Sequence, residues 1–397
     1  MTRAGPGVET GLDRLAAGEP AVVRLVRGRR VGLLAHPASV DQRFVHARER
    51  LMQAGARLGV LFGPEHGWDG DAQDMVGVQD RRDPVSGARV VSLYGEDEAR
   101  LSPRPEELEE IDVLVVDLQD VGSRYYTFVW TAALAFRAAA RAGVETVVLD
   151  RPNPLGGVRV EGAPQRPGHR SFVGLYEVAV RHGLTLGELL GMVRSVERID
   201  DRLLTIVRAR GWRRDLEHEA TGLPWVLPSP NMPTPQTARV YPGGCLLEGT
   251  NLSEGRGTTR PFEIFGAPFL DGEALARAVR LDGAVLRPLV FRPTFHKYAG
   301  VRCGGVQVHV TDPARFRPYE SYLRILAAVR ALAPDAFRWR TEPYEFVSDR
   351  PAIDLLAGGP EWRTAIDAGT PLGPLLEADR EAATRFDASR RAHWLYG

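Results

Sequence analysis

The stretch "DVLVVDLQD", residues 112–120, decides how the first half of this chain folds. Its apolar core is an unbroken run of valine and leucine, without the alternating polar residues of a half-exposed strand. Such a run is typical of a strand buried on both faces, as in parallel sheets covered by helices on both sides. The polar residues that end the stretch would then lie at the carboxyl edge of the sheet, where ligands bind in folds of this kind.

Short apolar strands and amphipathic helices alternate on either side of this stretch. Strands are predicted at residues 30–36, 57–62, 90–95 and 145–154, and helices that stop at a glycine at residues 44–55 and 128–143. A further helix and strand are predicted in "LTLGELLGMVRSVE" and "RLLTIVRARGW". The alternation predicts an α/β fold with a Rossmann-like, doubly wound parallel sheet.

The second half of the chain is organised differently. The length of 397 residues indicates two domains. Between residues 223 and 268 the periodicity is lost, although apolar residues such as Trp225 and Phe262 distinguish the segment from a linker. We expect a long functional loop there. A second α/β unit follows, so we predict a Rossmann-like catalytic domain at residues 1–265 and a smaller α/β auxiliary domain at residues 266–397.

Composition excludes several classes of partner. The 51 basic and 51 acidic residues give a net charge of zero, which argues against a nucleic-acid partner. No apolar stretch reaches the roughly 18 residues of a membrane span, and no membrane partner is expected. The amino-terminal segment has no apolar signal region, so a cytoplasmic location is predicted unless a leader has been removed. Cys245 and Cys303 are expected to be small buried thiols. The oligomeric state is not indicated.

Several chemistries lack their motifs. No glycine-rich phosphate loop opens the first helix and no Walker A motif occurs, so NAD and ATP are not expected. No G-x-S-x-G elbow or H-E-x-x-H pair is present; a metal is not predicted, although His66, His296 and His309 could meet in space. No cofactor is expected. Carboxylates, amides and aromatic residues at strand ends suit a sugar, which either a glycosidase or a non-catalytic sugar-binding protein would bind.

A set of longer motifs resembles one bacterial family. The motifs are "FGPEHG", "DLQDVGSRYYT", "VLDRPNPLGG", "LPWVLPSPNMPT", "YPGGCLLEGTNLSEGRGTTRPFEIFGAP" and "PTFHKYAGVRCGGVQVHVTD". With their spacing they closely resemble the exo-β-N-acetylmuramidases, glycosidases of cell-wall recycling, over residues 30–339. The "EGTNLSEGRGTTRPFE" block is long enough to be highly specific. One departure is Asp69, where we expect a basic residue.

The resemblance implies a fold, a cleft and a reaction. It implies a Rossmann-like catalytic domain, an auxiliary α/β domain and a substrate cleft between them. The implied activity is the release of N-acetylmuramic acid from the non-reducing ends of peptide-free peptidoglycan fragments. Two alternatives stay open: a related hexosaminidase with another sugar specificity, and a non-catalytic protein that binds or senses muropeptides.

Glu65 is the first candidate for the general acid. It follows a buried strand, between Pro64 and Gly67, where a partly dry pocket can keep a carboxyl protonated for the leaving oxygen. The alternative is a carboxylate that braces the loop. His66 either orients Glu65, contacts the sugar or is structural. For 2-acetamido sugars the acetamido oxygen can act as the nucleophile, so a second acid only orients the acetamido group. The candidates for that acid are Asp117, Glu254 and Asp120, followed by Glu248 and Glu263.

The remaining candidates are predicted to bind the sugar. The lactyl carboxylate of N-acetylmuramic acid requires a cation, which an arginine or Lys297, the only lysine of the chain, can supply. Structural ion pairs and braced turns are the alternatives for these residues. Tyr125 or Tyr126 offers an aromatic face. The predicted substrate-binding residues are Asp120, Arg124, Tyr125, Asp150, Asn153, Asn231, Glu248, Thr250, Asn251, Ser253, Arg256, Arg260, His296 and Lys297.

Overall fold

The main sheet is built from the apolar runs of the sequence. The computed structural model describes residues 7–72, 81–95 and 98–397. Its first seven strands are β1 Arg30–Ala35, β2 Arg57–Gly63, β3 Arg81–Arg82, β4 Arg89–Ser92, β5 Val113–Asp117, β6 Glu145–Leu149 and β7 Leu204–Val207. They form one sheet in the order β3-β4-β2-β1-β5-β6-β7. All neighbours are parallel except β3, which is antiparallel at one edge. The predicted Rossmann-like sheet is confirmed.

β5 lies at the centre of this sheet and is buried over its whole length. Val115 is in register with Leu33 of β1 and with Val147 of β6. Alternate residues of β5 join different apolar cores: Leu114 and Val116 belong to one, Val113 and Val115 to the other. Burial on both faces therefore explains why this strand shows no polar alternation.

Helices cover both faces of the sheet. The helices of the described chain are α1 Gly11–Ala16, α2 Pro20–Val23, α3 Ala47–Gln53, α4 Pro105–Glu109, α5 Phe128–Arg141, α6 Leu186–Glu197, α7 His218–Thr221, α8 Pro235–Gly244, α9 Gly272–Ala278, α10 Pro318–Leu332, α11 Ala352–Ala357, α12 Glu361–Ala368 and α13 Gly373–Arg390. α5 and α6 pack on β5, β6 and β7, whereas α1 and α3 contribute to the core on the opposite face. None of the described helices is long and apolar enough to cross a membrane.

A second, smaller sheet follows the first. Its strands are β8 Ile264–Ala267, β9 Ala284–Phe291 and β10 Cys303–Val310, in the antiparallel order β8-β10-β9. α9 packs on this sheet and on α10. A Cβ at Gly266 would lie 2.1 Å from the carbonyl oxygen of Gly304, so β8 and β10 require glycine to approach this closely. The two cysteines are buried, free thiols.

The segment from residue 223 to residue 268 is not a structureless loop, so that expectation is wrong. It contains α8, a short 3-10 turn at Cys245–Gly249 and β8. Thr234 caps α8 by accepting the backbone N–H of Thr237. The helix contains Pro242, and a Cβ on Gly243 would lie 2.2 Å from the carbonyl oxygen of Pro318 in α10. Because packing against α10 stabilises α8 more than its local propensity does, the helix leaves no clear signal in the sequence.

Helices α11, α12 and α13 were not predicted from the sequence, and the last residues of the chain contact the main sheet. Arg390 at the end of α13 donates hydrogen bonds to the carbonyl oxygens of Gly183 and Gly157. The hydroxyl group of Tyr396 donates to Asp150, which lies just beyond β6. These contacts join the end of the chain to the carboxyl edge of the sheet.

Candidate active site

A narrow cleft lies beyond the carboxyl end of β2. One wall consists of the loop after β2 and the start of α5. The opposite wall comes from α8, the following 3-10 turn and the segment around Tyr344. Three carboxyl groups, those of Glu65, Glu248 and Glu345, line it together with four tyrosines and one arginine. This combination of acids, hydroxyl groups and aromatic faces suits a sugar ring.

The turn after β2 holds Glu65 in this cleft. A Cβ at Gly63 would lie 2.3 Å from the backbone nitrogen of Trp68, so only glycine permits this tight turn. His66 and Gly67 both have left-handed backbones, with φ of 71° and 77°. Glu65 is 7% exposed, and the hydroxyl of Thr127 donates a 2.6 Å hydrogen bond to its Oε2. The carboxyl group is therefore oriented by α5 as well as by its own turn.

His66 also lines the cleft. Its Nδ1 lies 2.9 Å from the carbonyl oxygen of Ala72. Since a carbonyl oxygen can only accept, Nδ1 carries a proton. The imidazole stands edge-on to Phe128, with ring centroids 6.3 Å apart.

Glu248 and Glu345 approach the cleft from the second half of the chain. Glu248 accepts a hydrogen bond from Arg256 at 2.8 Å on Oε1 and one from the hydroxyl of Tyr344 at 2.7 Å on Oε2. Glu345 accepts a 3.3 Å hydrogen bond from the hydroxyl of Tyr94, which follows β4. The structure therefore joins acids from distant parts of the chain in one cleft.

Glu254 lies behind this wall in a cluster of cations. Its side chain is fully buried; His296 Nδ1 lies 3.0 Å from Oε1, and Lys297 Nζ lies 3.1 Å from Oε2. Burial alone would raise the pKa of Glu254, but Lys297, His296 and Arg256 outweigh it and hold the pKa well below its usual range. A permanently ionised Glu254 cannot donate a proton, and its contact with Arg256, 3.2 Å from Nε, positions that side chain at the cleft.

Asp117 and Asp120 lie outside the cleft. Asp117 is fully buried and forms a bidentate ion pair with Arg151. Arg151 Nε lies 2.5 Å from Oδ1 and Nη2 lies 2.9 Å from Oδ2. This pair connects the carboxyl ends of β5 and β6. Asp120 accepts the backbone N–H of Gly122 and lies 3.3 Å from His182 Nε2. The contacts of both acids are those of residues that hold loops in place.

The other predicted residues divide into two groups. Tyr125, Asn231, Glu248 and Arg256 line the cleft with Glu65 and His66. The remaining predicted residues make contacts outside the cleft. Arg124 donates hydrogen bonds to three backbone carbonyl oxygens, and Asp150 accepts hydrogen bonds from Thr185 and Tyr396. His296 and Lys297 pair with Glu254, Arg260 lies 3.6 Å from Glu263, and backbone groups are the hydrogen-bond partners of Asn153, Thr250, Asn251 and Ser253.

Sequence reasoning missed several residues of the cleft. Thr127, Ser229, Tyr241, Tyr344 and Glu345 line it but were not proposed. Thr127 follows the "SRYY" motif directly, so its position beside two candidate residues was a usable signal. The segment around Glu345 offers no periodicity or spacing that would have marked it. Within the described residues, no group of three or more His, Cys, Asp or Glu side chains could hold a metal ion.

Fold and site together define a class of protein. A parallel α/β sheet without a nucleotide loop, and a cleft lined by three carboxyl groups and several tyrosines, fit a glycoside hydrolase. Models of the exo-beta-N-acetylmuramidase NamZ family match residues 31–236 with the amino-terminal domain and residues 239–396 with the carboxyl-terminal domain. The chain belongs to this family. The boundary predicted between residues 265 and 266 stays a prediction.

Individual relatives agree with this assignment. The chain is 40% identical over 400 residues to the peptidoglycan beta-N-acetylmuramidase NamZ of Bacillus subtilis, covering 100% of this chain and 93% of that protein. Two crystal structures of DUF1343 family proteins from Bacteroides fragilis are similar in fold. One has a TM-score of 0.86 at 31% identity, covering 99% of this chain and 100% of that chain. The other has a TM-score of 0.75 at 25% identity, covering 98% and 99%.

Proposed function

We propose that this enzyme is an exo-acting glycoside hydrolase that releases N-acetylmuramic acid from the non-reducing ends of peptide-free peptidoglycan fragments. The full-length similarity to the Bacillus subtilis enzyme supports the reaction class. The observation that carries the proposal is the placement of Glu65, buried in the cleft and oriented by Thr127. A narrow cleft suits one terminal sugar better than the middle of a long glycan chain.

Glu65 acts as the general acid in the first half of the reaction. As the bond between C1 and the leaving oxygen breaks, Glu65 transfers its proton to that oxygen. The carbonyl oxygen of the substrate's own 2-acetamido group forms the new bond to C1, which gives a cyclic oxazolinium intermediate. In the second half, water attacks C1, the Glu65 carboxylate takes the water's proton and the acetamido group is restored.

Arg256 is the proposed ligand of the lactyl carboxylate. Among the described residues that line the cleft, it is the only lysine or arginine. Lys297 is held by Glu254 and by the carbonyl oxygen of Leu247, and Arg260 lies at the exposed surface near Glu263. Arg256 thus gives the cleft its preference for a sugar that carries a carboxylate.

The test compares two chromogenic substrates, an aryl N-acetyl-β-muramide and the matching glucosaminide. We expect release from the muramide, and a fall in kcat of about a thousandfold in Glu65→Gln, within the range of general acid catalysis. Glu106→Gln, an exposed glutamate in the first turn of α4, is the matched control with unchanged kcat. Release from the glucosaminide alone would identify a hexosaminidase of other specificity, and release from neither would refute the enzyme proposal.

A further inference from the structure

Glu345 lies far from Glu65 in sequence, yet both side chains line the same cleft. Glu345 is 6% exposed and belongs to a tight turn in which Tyr344 and Val347 exchange backbone hydrogen bonds. The acid is therefore presented by the carboxyl-terminal half of the chain to a cleft whose proposed general acid comes from the main sheet.

The backbone of this turn is unusual. Glu345 and Phe346 have φ values of 46° and 66°, so two successive residues other than glycine adopt the left-handed conformation. Such a backbone is unfavourable for residues with a Cβ and persists only where the surrounding structure enforces it. Strained positions of this kind cluster at functional sites. Here the strain directs the Glu345 side chain to the cleft.

Aromatic rings pack around Phe346, the residue that follows Glu345. The ring of Phe346 stands edge-on to those of Tyr94 and Phe172, with centroids 5.7 Å and 6.1 Å apart. Tyr94 and Phe172 are each 3% exposed. The hydroxyl of Tyr94 donates to Glu345 Oε2. A carboxylate held in this position can stabilise a positive charge that develops beside it.

Two other buried acids of this region, Glu248 and Glu254, form ion pairs. Glu248 pairs with Arg256, and the charge of Glu254 is balanced by Lys297 and His296. The contacts of Glu345 include the hydrogen bond from the Tyr94 hydroxyl, which orients its Oε2 atom.

We propose that Glu345 is the second catalytic carboxylate of this enzyme, an inference that rests on the proposed function. Ionised Glu345 accepts a hydrogen bond from the acetamido N–H of the substrate. As the acetamido oxygen bonds to C1, positive charge develops on the nitrogen, and the carboxylate stabilises it while the proton stays on the nitrogen. The charge disappears when water opens the oxazolinium ring. Tyr94 is the positioning residue, because it orients the Glu345 carboxylate.

Two readouts separate Glu345 from Glu65. The first is kcat with a phenyl and a dinitrophenyl muramide. We expect Glu345→Gln to lower kcat about 100-fold or more with both substrates, because the acetamido attack is impaired whichever group leaves. Glu65→Gln should lower kcat strongly with phenyl and only weakly with dinitrophenyl, which leaves without a proton.

The second readout is binding of the thiazoline derived from N-acetylmuramic acid, whose protonated ring mimics the oxazolinium. Its affinity should fall about 10- to 100-fold in Glu345→Gln, as expected for a lost charge-assisted contact. Tyr94→Phe should lose about 3- to 10-fold in kcat while keeping most of this affinity. Glu342→Gln, an exposed glutamate close by in the sequence, is the matched control and should change neither quantity.

The outcomes are distinct. Wild-type turnover together with unchanged kcat and thiazoline affinity in Glu345→Gln would overturn this inference and leave the proposed function standing. Absence of wild-type turnover would overturn the proposed function and this inference with it. Thermal melting shows whether each variant folds. If Glu345→Gln does not fold, Glu345→Asp keeps the charge but places it on a shorter side chain, so kcat and thiazoline affinity should both fall, by less than in Glu345→Gln. Wild-type values of both quantities in Glu345→Asp would refute the role.

Discussion

Glu161 makes the stability of this protein depend on pH in a way that can be calculated. Its carboxyl group is buried beneath α10, where Oε1 accepts the backbone N–H of Glu320 at 2.9 Å. Burial raises the pKa of Glu161 from 4.5 to about 7, against the opposing effects of the Glu320 N–H and of Arg181 and Arg317. The nearby Asp379 adds to the increase. The folded protein therefore holds a proton that the unfolded chain releases.

The sign and size of this pH dependence follow from the pKa values of Glu161 in the unfolded and folded states. Below pH 4.5 both states are protonated and Glu161 adds no pH dependence. Between 4.5 and about 7 only the unfolded state loses the proton, so stability falls as the pH rises. Each pKa unit is worth about 1.4 kcal/mol, so the total loss is about 3 kcal/mol, complete above the folded-state pKa.

The assay is urea unfolding of the wild-type protein and Glu161→Gln at a series of pH values through this window. The variant has no charge to lose at this position, so its stability relative to wild type should rise by about 3 kcal/mol from acid to alkaline pH. Any constant effect of the amide on hydrogen bonding cancels in this comparison. Glu377→Gln on α13, whose side chain is 68% exposed, is the control and should follow wild type. If the difference in unfolding free energy between the wild type and Glu161→Gln stays constant with pH, the reasoning is refuted.

Three further predictions concern the site and the core. Asp117→Asn should lower the free energy of unfolding in urea by about 3–5 kcal/mol, because Arg151 is left buried without its carboxylate partner. The kcat of the folded variant should stay near wild type, and a large loss in kcat would make Asp117 a catalytic candidate again. Arg256→Met should reduce the preference for muramide over glucosaminide by about tenfold or more in kcat/KM, and an unchanged preference would place the lactyl site elsewhere. Cys245 and Cys303 should react with a thiol reagent only after denaturation, since both are buried; rapid labelling of the native protein would contradict this.

Much of the main sheet could be predicted from local sequence. Strands such as β1, β2, β5 and β6 are buried on both faces, and this requirement produces apolar runs that are visible in the sequence. Helix α8 could not be predicted in this way, because its stability comes from packing on α10 and its own residues include Pro242. Local propensity and tertiary packing agree for the buried strands, whereas they conflict for α8.

The candidate site shows the same division. The position of Glu65 could be predicted, because a strand end followed by glycine and a left-handed turn is a local feature. The surroundings of Asp117 and Glu254 could not, since their ion-pair partners lie at residues 151 and 296–297. An acid with a cation beside it is indistinguishable, in sequence, from an acid available to a substrate.

The sequence by itself determined the parallel sheet, the edge at which the site lies and, through its long motifs, the family. Only the tertiary structure decided which acids share the cleft. It placed Glu345 and Glu248 there with Glu65, and it enclosed Asp117 and Glu254 in ion pairs. The physical reason is that strand burial acts on neighbouring residues, whereas the neutralisation and dryness of a carboxylate depend on groups brought together by the whole fold.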